Sequence, residues 1–493
     1  MNMTGLRIFI MKEMDMSTSE IKVDICIIGA GSGGLSVAAG AAQLGLKTVL
    51  LERAEMGGDC LNTGCVPSKA LLAAGKRAQM HRKNDIKGIA PHEPDIDFSA
   101  VKDHVFDTIK AIEPNDSPER FRELGVNVIL EEGRFVGPNT VQAGEHVITA
   151  RHFVIATGSR AVVPPIPGLD KDKVFTNETI FELREKPDHL LVIGGGPIGI
   201  EMAQAHVRLG CNVSVFDMGP ILPRDDQSNV EIVRQALLTE GIGLHERVSI
   251  KEVKHDASGV VLVIEKDGEA KEIRGSHLLV AAGRAPNTGG LDLEKAHVAY
   301  EKQGITVDGH LKTSNRKIFA IGDVSGGPQF THVAGYHAGV IIRQICFKMF
   351  WAKVDYTALP WVTYTDPELA QVGLTEEMAR KEHGENIKIA EWHFDENDRA
   401  IAERATKGQI RVVTNKKGLI LGTSIVGPQA GELIGLWALA ISSGLKISAV
   451  TGMIAPYPTL GEISKRAAGA WYTPSLFSDK TRRIVKMLQK LPI

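Results

Sequence analysis

Cys60 and Cys65 stand in the run Gly57-Gly58-Asp59-Cys60-Leu61-Asn62-Thr63-Gly64-Cys65-Val66-Pro67-Ser68-Lys69. Two thiols with this short separation close a disulfide if the loop between them is tight. Gly57, Gly58 and Gly64 permit such a turn, and Pro67 suits the first turn of a helix that follows. The pair lies a short way beyond a dinucleotide-binding glycine pattern, so it is expected beside a cofactor. A disulfide in that setting is chemistry rather than scaffolding. The other cysteines, Cys26, Cys211 and Cys346, fall in or beside apolar segments and read as buried structural thiols.

The elements that must position the pair surround it. Val23 to Ile28 is an apolar run of buried-strand type. It enters Gly29-Ala30-Gly31-Ser32-Gly33-Gly34 and then an alanine-rich helix, Leu35 to Leu44. A short strand, Thr48 to Leu51, leads to Glu52, 18 residues beyond Gly34. The glycines allow a tight turn, close approach of backbone to a pyrophosphate, and close helix packing, while the acid accepts from ribose hydroxyls. The pattern recurs with strand Leu190 to Ile193, turn Gly194-Gly195-Gly196-Pro197-Ile198-Gly199 and helix Ile200 to Leu209. Strand Val213 to Phe216 then ends in Asp217, again 18 residues beyond the last glycine. One such pattern is weak evidence; two with matching offsets imply two bound dinucleotides. Each unit closes alike, at Phe153 to Gly158 and Leu278 to Gly283, and residues 261–276 alternate charge with Val and Ile as hairpins do.

A chain of 493 residues exceeds one core and should form about three domains. A net charge of −2 gives nucleic acid no footing as a partner. Five cysteines are too few for a secreted disulfide framework and point to a reducing, cytoplasmic setting. Residues 1–21, rich in methionine, read as a disordered tail or an over-extended start with Met16 as initiator. The apolar run Leu6 to Met11, broken by Arg7, is too short for a signal peptide. No apolar stretch approaches the roughly 20 residues that span a bilayer.

With these motifs in order, the chain resembles the class I pyridine nucleotide–disulfide oxidoreductases, the family of dihydrolipoamide dehydrogenase, glutathione reductase and mercuric reductase. The resemblance extends to Ala156-Thr157-Gly158-Ser159, Gly283-Arg284-Ala285-Pro286-Asn287-Thr288, Ile318-Phe319-Ala320-Ile321-Gly322-Asp323 and the run from Thr365 to Glu376. It implies an α/β fold with two Rossmann-like domains and an α+β dimerisation domain. FAD would occupy a first domain over 22–165 and 289–354, NAD(P) an inserted domain over 166–288, and a homodimer would form through 355–493. It further implies that FAD is held by Gly29, Gly31, Ser32, Gly33, Gly34, Glu52, Arg53, Gly58, Lys69, Gly133, Ala156, Thr157, Gly158, Gly322, Asp323 and Thr331. The nicotinamide nucleotide would meet Gly194, Gly196, Pro197, Ile198, Gly199, Glu201, Asp217 and Gly283. Hydride then passes from NAD(P)H to flavin, and electrons pass to the disulfide through Cys65, leaving Cys60 to meet the acceptor. Lys69 and Glu201 match the family's ion pair beside flavin and nicotinamide. Asp217 favours the ribose hydroxyls of NADH over the 2′-phosphate of NADPH. No metal site is expected.

The chain departs from its relatives near its carboxyl end. Disulfide reductases of the family carry a His-Pro-Thr motif followed by Glu; here the run is Tyr457-Pro458-Thr459-Leu460-Gly461-Glu462. Tyrosine titrates near 10 and is a poor base at neutral pH, so fast exchange with dihydrolipoamide or glutathione is not expected. Mercuric reductase shares a tyrosine here but uses a carboxyl-terminal cysteine pair, whereas the last cysteine of this sequence is Cys346. The expected activity is therefore electron transfer from NADH to a quinone, a metal ion or a small disulfide. The alternatives are a dihydrolipoamide dehydrogenase with Tyr457 in place of histidine, and a redox-responsive binding module. Residues 465–493 carry seven Lys and Arg against Asp479, with Phe477, Ile484, Leu488 and Leu491 at helical spacing. Such a helix touches a membrane surface or an acidic partner, or packs on the dimer.

Overall fold

The computed structural model describes residues 19–84 and 86–491. The chain divides into two compact units, each assembled from separated segments. Of the described residues, the first takes 19–60, 112–160 and 285–354; the second takes 61–84, 86–111, 161–284 and 355–491.

The first unit is built on a seven-stranded sheet. Strands Val126–Ile129, Thr48–Leu51, Ser19–Ile28 and His146–Ile155 run parallel in that order. The strand His146–Ile155 then pairs at its start with Thr140–Ala143, antiparallel, and at its end with Ile318–Ala320, parallel. Side chains alternate across the sheet, so Ser19–Ile28 feeds two cores. Ile25 and Ile27 pack with Leu50, Val154 and Phe319 on one face, and Cys26 and Ile28 pack with Val49, Phe135 and Phe153 on the other. Helices Ser32–Gln43 and Thr331–Ile345 cover the first face. The first strand begins at Ser19, so Ser19 to Ile21, read from sequence as tail, pair with His146 to Ile148. The rest of that expected tail, residues 1–18, lies outside the described residues.

The second unit carries a four-stranded parallel sheet in the order Gly243–Glu246, Asn212–Asp217, His189–Ile193, His277–Val280. A three-stranded antiparallel sheet, Ser249–Asp256, Gly259–Lys266 and Glu269–Gly275, accounts for the charge alternation in the sequence. A five-stranded antiparallel sheet spans Pro360–Thr363 to Ile420–Gly427 and is backed by helices Ala430–Ser442, Ile447–Gly452 and Glu462–Ala470. Trp437, fully buried there, donates its indole N–H to Ser464 Oγ at 3.1 Å. Polar ties join this sheet to the parallel one: Trp361 Nε1 donates to Asp225, and Arg411 holds Asp226.

Helix Cys65–Arg82, read from sequence as part of the first nucleotide domain, clusters with the second unit. Gly75 eases the contact: a Cβ there would stand 3.2 Å from the Ala205 carbonyl, a tight approach that glycine avoids as this helix lies against Pro197–Arg208.

Candidate active site

Both glycine turns are built the same way, and what surrounds each glycine separates architecture from ligand. Gly29 (φ +104°) and Gly194 (φ +117°) have no room for a side chain: a Cβ would lie 2.5 Å from the Ala156 carbonyl and 2.3 Å from that of Ala281. Gly34 and Gly199 are equally closed, 1.9 Å from the carbonyls of Gly29 and Gly194. The middle glycines differ. A Cβ on Gly31 would meet only Gly58 Cα at 4.0 Å, and one on Gly196 would meet nothing within 4 Å. The fold itself does not require glycine at 31 or 196, so the open space there suits a phosphate lying on the backbone.

The acid of each unit is fixed by backbone donors. Ala30 N–H donates to Glu52 Oε2 at 2.7 Å and Ala54 N–H to Oε1 at 2.9 Å. In the second unit Gly195 N–H donates to Asp217 Oδ2 and Gly219 N–H to Oδ1, both at 2.7 Å. Gly57 N–H donates to the Ala30 carbonyl at 2.9 Å, which docks the start of the cysteine segment on the first turn. Gly58 (φ +59°) cannot carry a Cβ there, since it would lie 2.8 Å from Gly31 Cα. Asp323, in the turn Gly322–Ser325, accepts from Ser159 Oγ at 2.5 Å. Gly322 N–H donates to His337 Nδ1 at 3.1 Å; burial pushes that imidazole down to about 4, so it is neutral and can accept. His337 was not read from the sequence, where it is one histidine in an apolar helix. Of the other residues assigned to this cradle, Arg53 pairs with Glu132 at 3.3 Å. Thr331 opens helix Thr331–Ile345, and Gly133 opens a strand whose packing on Leu51 leaves no space for a Cβ. These residues fit a dinucleotide with its pyrophosphate over Gly31 and its ribose at Glu52.

Cys60 is half-buried in the short helix Gly58–Asn62, and Cys65 is the exposed first residue of helix Cys65–Arg82. Backbone N–H groups at a helix start favour an anionic sulfur. One turn on, Lys69 Nζ donates to Glu201 Oε2 at 2.9 Å and lies 4.4 Å from the centre of the Tyr364 ring. Glu201 is buried, and its second oxygen accepts from the Tyr364 backbone N–H at 2.9 Å. Burial raises the Tyr364 phenol above its ordinary range, with Lys69 opposing. Tyr364 was missed in the sequence; its one signal was its place immediately before the Thr365-Asp366-Pro367 motif.

Tyr457 is 68% exposed, and its hydroxyl donates to Asp398 Oδ2 at 2.9 Å. The Asp398 carboxylate holds the phenol above its ordinary pKa. Glu462, the acid of the Tyr457-Pro458-Thr459 run, accepts from Arg466 Nε at 3.0 Å along its own helix. Asp398 lies 59 residues away in the chain and carried no sequence signal.

Fold and site together define an enzyme with two dinucleotide cradles and a cysteine pair starting beside the first. A model of the pyridine nucleotide-disulphide oxidoreductases matches residues 23–338, and one of their dimerisation domain matches 359–468. The mercuric reductase of Bacillus cereus is 35% identical over 447 residues, 90% of this chain and 70% of that protein. A dihydrolipoyl dehydrogenase of Thermus scotoductus is 36% identical over 463 residues, 92% of this chain and 98% of that one. Among solved structures, the HOCl-induced flavoprotein disulfide reductase RclA from Escherichia coli superposes with a TM-score of 0.80 at 25% identity, covering 92% of this chain and all of RclA. A Cu(II) complex of RclA matches equally well, with a TM-score of 0.80. The chain belongs to the pyridine nucleotide-disulphide oxidoreductases, as the sequence resemblance implied. It is an FAD-dependent oxidoreductase that uses a pyridine nucleotide.

Proposed function

We propose that this enzyme takes electrons from NADH and delivers them through Cys65 and Cys60 to an acceptor other than lipoamide, with a metal ion favoured over a quinone or a different small disulfide. The carrying observation is Tyr457. A protonated phenol, tied to Asp398 and exposed, stands where a disulfide-exchanging relative needs a histidine base. Likeness to mercuric reductases and to a reductase crystallised with Cu(II) supports the metal.

FAD, when bound, supplies two-electron transfer between nicotinamide and sulfur, which no side chain can perform. Asp217, held by two backbone donors, selects NADH because a carboxylate repels a 2′-phosphate. Lys69, fixed by Glu201, brings a positive charge one turn from Cys65. The Cys60–Cys65 disulfide would gain two electrons and one proton to become a thiol–thiolate pair. Cys65, at the helix start, would hold its sulfur as the thiolate, leaving Cys60 to meet the acceptor. Reduction of the acceptor returns both electrons and restores the disulfide. Two copies joined through the dimerisation domain would bring Tyr457 of one to the dithiol of the other, where it orients a ligand rather than moving its proton.

Anaerobic dithionite titration tests this scheme. Four electrons per FAD in the wild type and two in Cys60→Ser support it; two electrons in both remove the disulfide from the path. A dihydrolipoyl dehydrogenase is the second reading, favoured by the near-complete coverage of those relatives.

A further inference from the structure

The carboxyl-terminal segment lies beyond the matched dimerisation domain, which ends at residue 468, and the chemistry above does not use it. Helix Asp479–Leu488 buries none of its residues, and Thr481 at its start bonds to Ser478 and Ser475 of the same segment. At 100° per residue, Ile484, Met487, Leu488 and Leu491 fall within a single arc of about 100°. All four are exposed, Met487 and Leu491 by more than 60%. Arg482, Arg483, Lys486 and Lys490 occupy an opposite arc of similar width, and Asp479 is the one acid among them. Lys480 falls within the apolar arc, where its long stem can lie on an apolar surface with the ammonium reaching to the edge.

A second segment has the same chemistry. After helix Thr331–Ile345, in the other compact unit, the chain exposes Phe347, Phe350 and Trp351, the last by 71%. Lys348 lies between them, Lys353 follows them, and Lys312 Nζ stands 5.9 Å from the Phe350 ring. Exposed aromatics beside lysine suit the headgroup level of a bilayer, where a ring has an apolar body to bury and the cation meets phosphate.

We propose that the helix Asp479–Leu488 docks on an anionic membrane surface, and that the aromatic segment 347–351 by itself offers a contact of the same kind. Charge selects this occupant. A helix that only packed on a second copy of the chain would need the apolar arc alone, whereas a remaining face with four basic residues against the single acid Asp479 carries net positive charge that matches an anionic lipid surface. The acceptor's identity does not enter, so the inference stands apart from the proposed function.

The test is co-sedimentation of the FAD-loaded, full-length protein with vesicles of phosphatidylcholine alone or mixed with phosphatidylglycerol. Binding is expected only with phosphatidylglycerol and should weaken at high salt. The variant Arg482→Glu/Arg483→Glu/Lys486→Glu should lower the partition coefficient by about a hundredfold or more, each basic residue near such a surface being worth about 1 kcal/mol. Ile484→Ser/Leu488→Ser should also release the protein. Vesicles should shift tryptophan emission to the blue, and Trp351→Phe should remove that shift. NADH oxidation with an acceptor in solution should be unchanged in every variant. Absence of binding to phosphatidylglycerol vesicles, or binding indifferent to the tail variants, overturns the proposal. Dissociation of a dimer by Ile484→Ser/Leu488→Ser, with vesicle binding unaltered, assigns the face to a second copy and also overturns it.

Discussion

Replacing Tyr457 by histidine should create the dithiol-exchange activity that the native residue withholds. At pH 7.5 a phenol of ordinary pKa ~10 is ionised in about one molecule in 300. The hydrogen bond to Asp398 and that carboxylate's charge push the phenol higher, so the native fraction is smaller still. A histidine with pKa near 6.5 is neutral, and able to accept a proton, in about nine molecules in ten. The supply of base at this position therefore rises by ~300-fold or more, and a placed general base contributes roughly 10²- to 10⁴-fold in rate. Asp398 remains to orient the imidazole as it now holds the hydroxyl. Lipoamide-dependent NADH oxidation by Tyr457→His should exceed wild type by about 100-fold. Its pH profile should rise through the imidazole pKa and then level, whereas the wild-type rate should keep climbing towards pH 9. Tyr457→Phe should match wild type below pH 8. A folded, FAD-containing Tyr457→His with no gain would refute the reasoning, as would a wild type already fast with lipoamide.

Four further outcomes follow from the geometry. Gly31→Val should fold yet purify with little flavin, measured by the ratio of visible to ultraviolet absorbance, while Gly34→Ala should fail to fold because its Cβ meets the Gly29 carbonyl. Lys69→Met should cost ~3 kcal/mol by stranding a buried carboxylate, against ~1 for Glu201→Gln, which leaves a lysine that water can reach; the double variant should melt above Lys69→Met alone. Asp217→Ser should raise kcat/KM for NADPH relative to NADH by at least tenfold. Burial pushes the Asp225 carboxyl up to about 6. A raised carboxyl stabilises the fold while protonated, and that contribution is lost as pH rises through about 4 to 6. Asp225→Asn, which can still accept from Trp361, should therefore melt higher than wild type at pH 7.5 and equally at pH 4, by up to ~3 kcal/mol for a two-unit shift.

The nucleotide cradles were legible because their constraints are local. Gly29, Gly34 and the acid at Glu52 act within one strand-turn-helix, and sequence order alone brings them together. The structure adds that Gly31 and Gly196 are glycine without any packing reason. Where a partner comes from far along the chain, the sequence was silent. Tyr457 reaches Asp398, 59 residues away, while Glu462 pairs with an arginine one helical turn along. The pairing of Lys69 with Glu201, 132 residues apart, came only from resemblance, and the Tyr364 backbone donor that completes it came from neither. The closeness of helix Cys65–Arg82 to Pro197–Arg208 was not legible, because Gly75 reads as a neutral helical residue until Ala205 is seen behind it.

The central claim is that electrons leave through the cysteine pair to an acceptor other than lipoamide. Steady-state NADH oxidation by the FAD-loaded protein, with Cu(II), Hg(II), a quinone and lipoamide as acceptors and Cys60→Ser alongside, tests it directly. The account predicts metal-dependent turnover, little with lipoamide, and loss of the metal rate in Cys60→Ser. Fast lipoamide turnover, or a metal rate that survives Cys60→Ser, would contradict it.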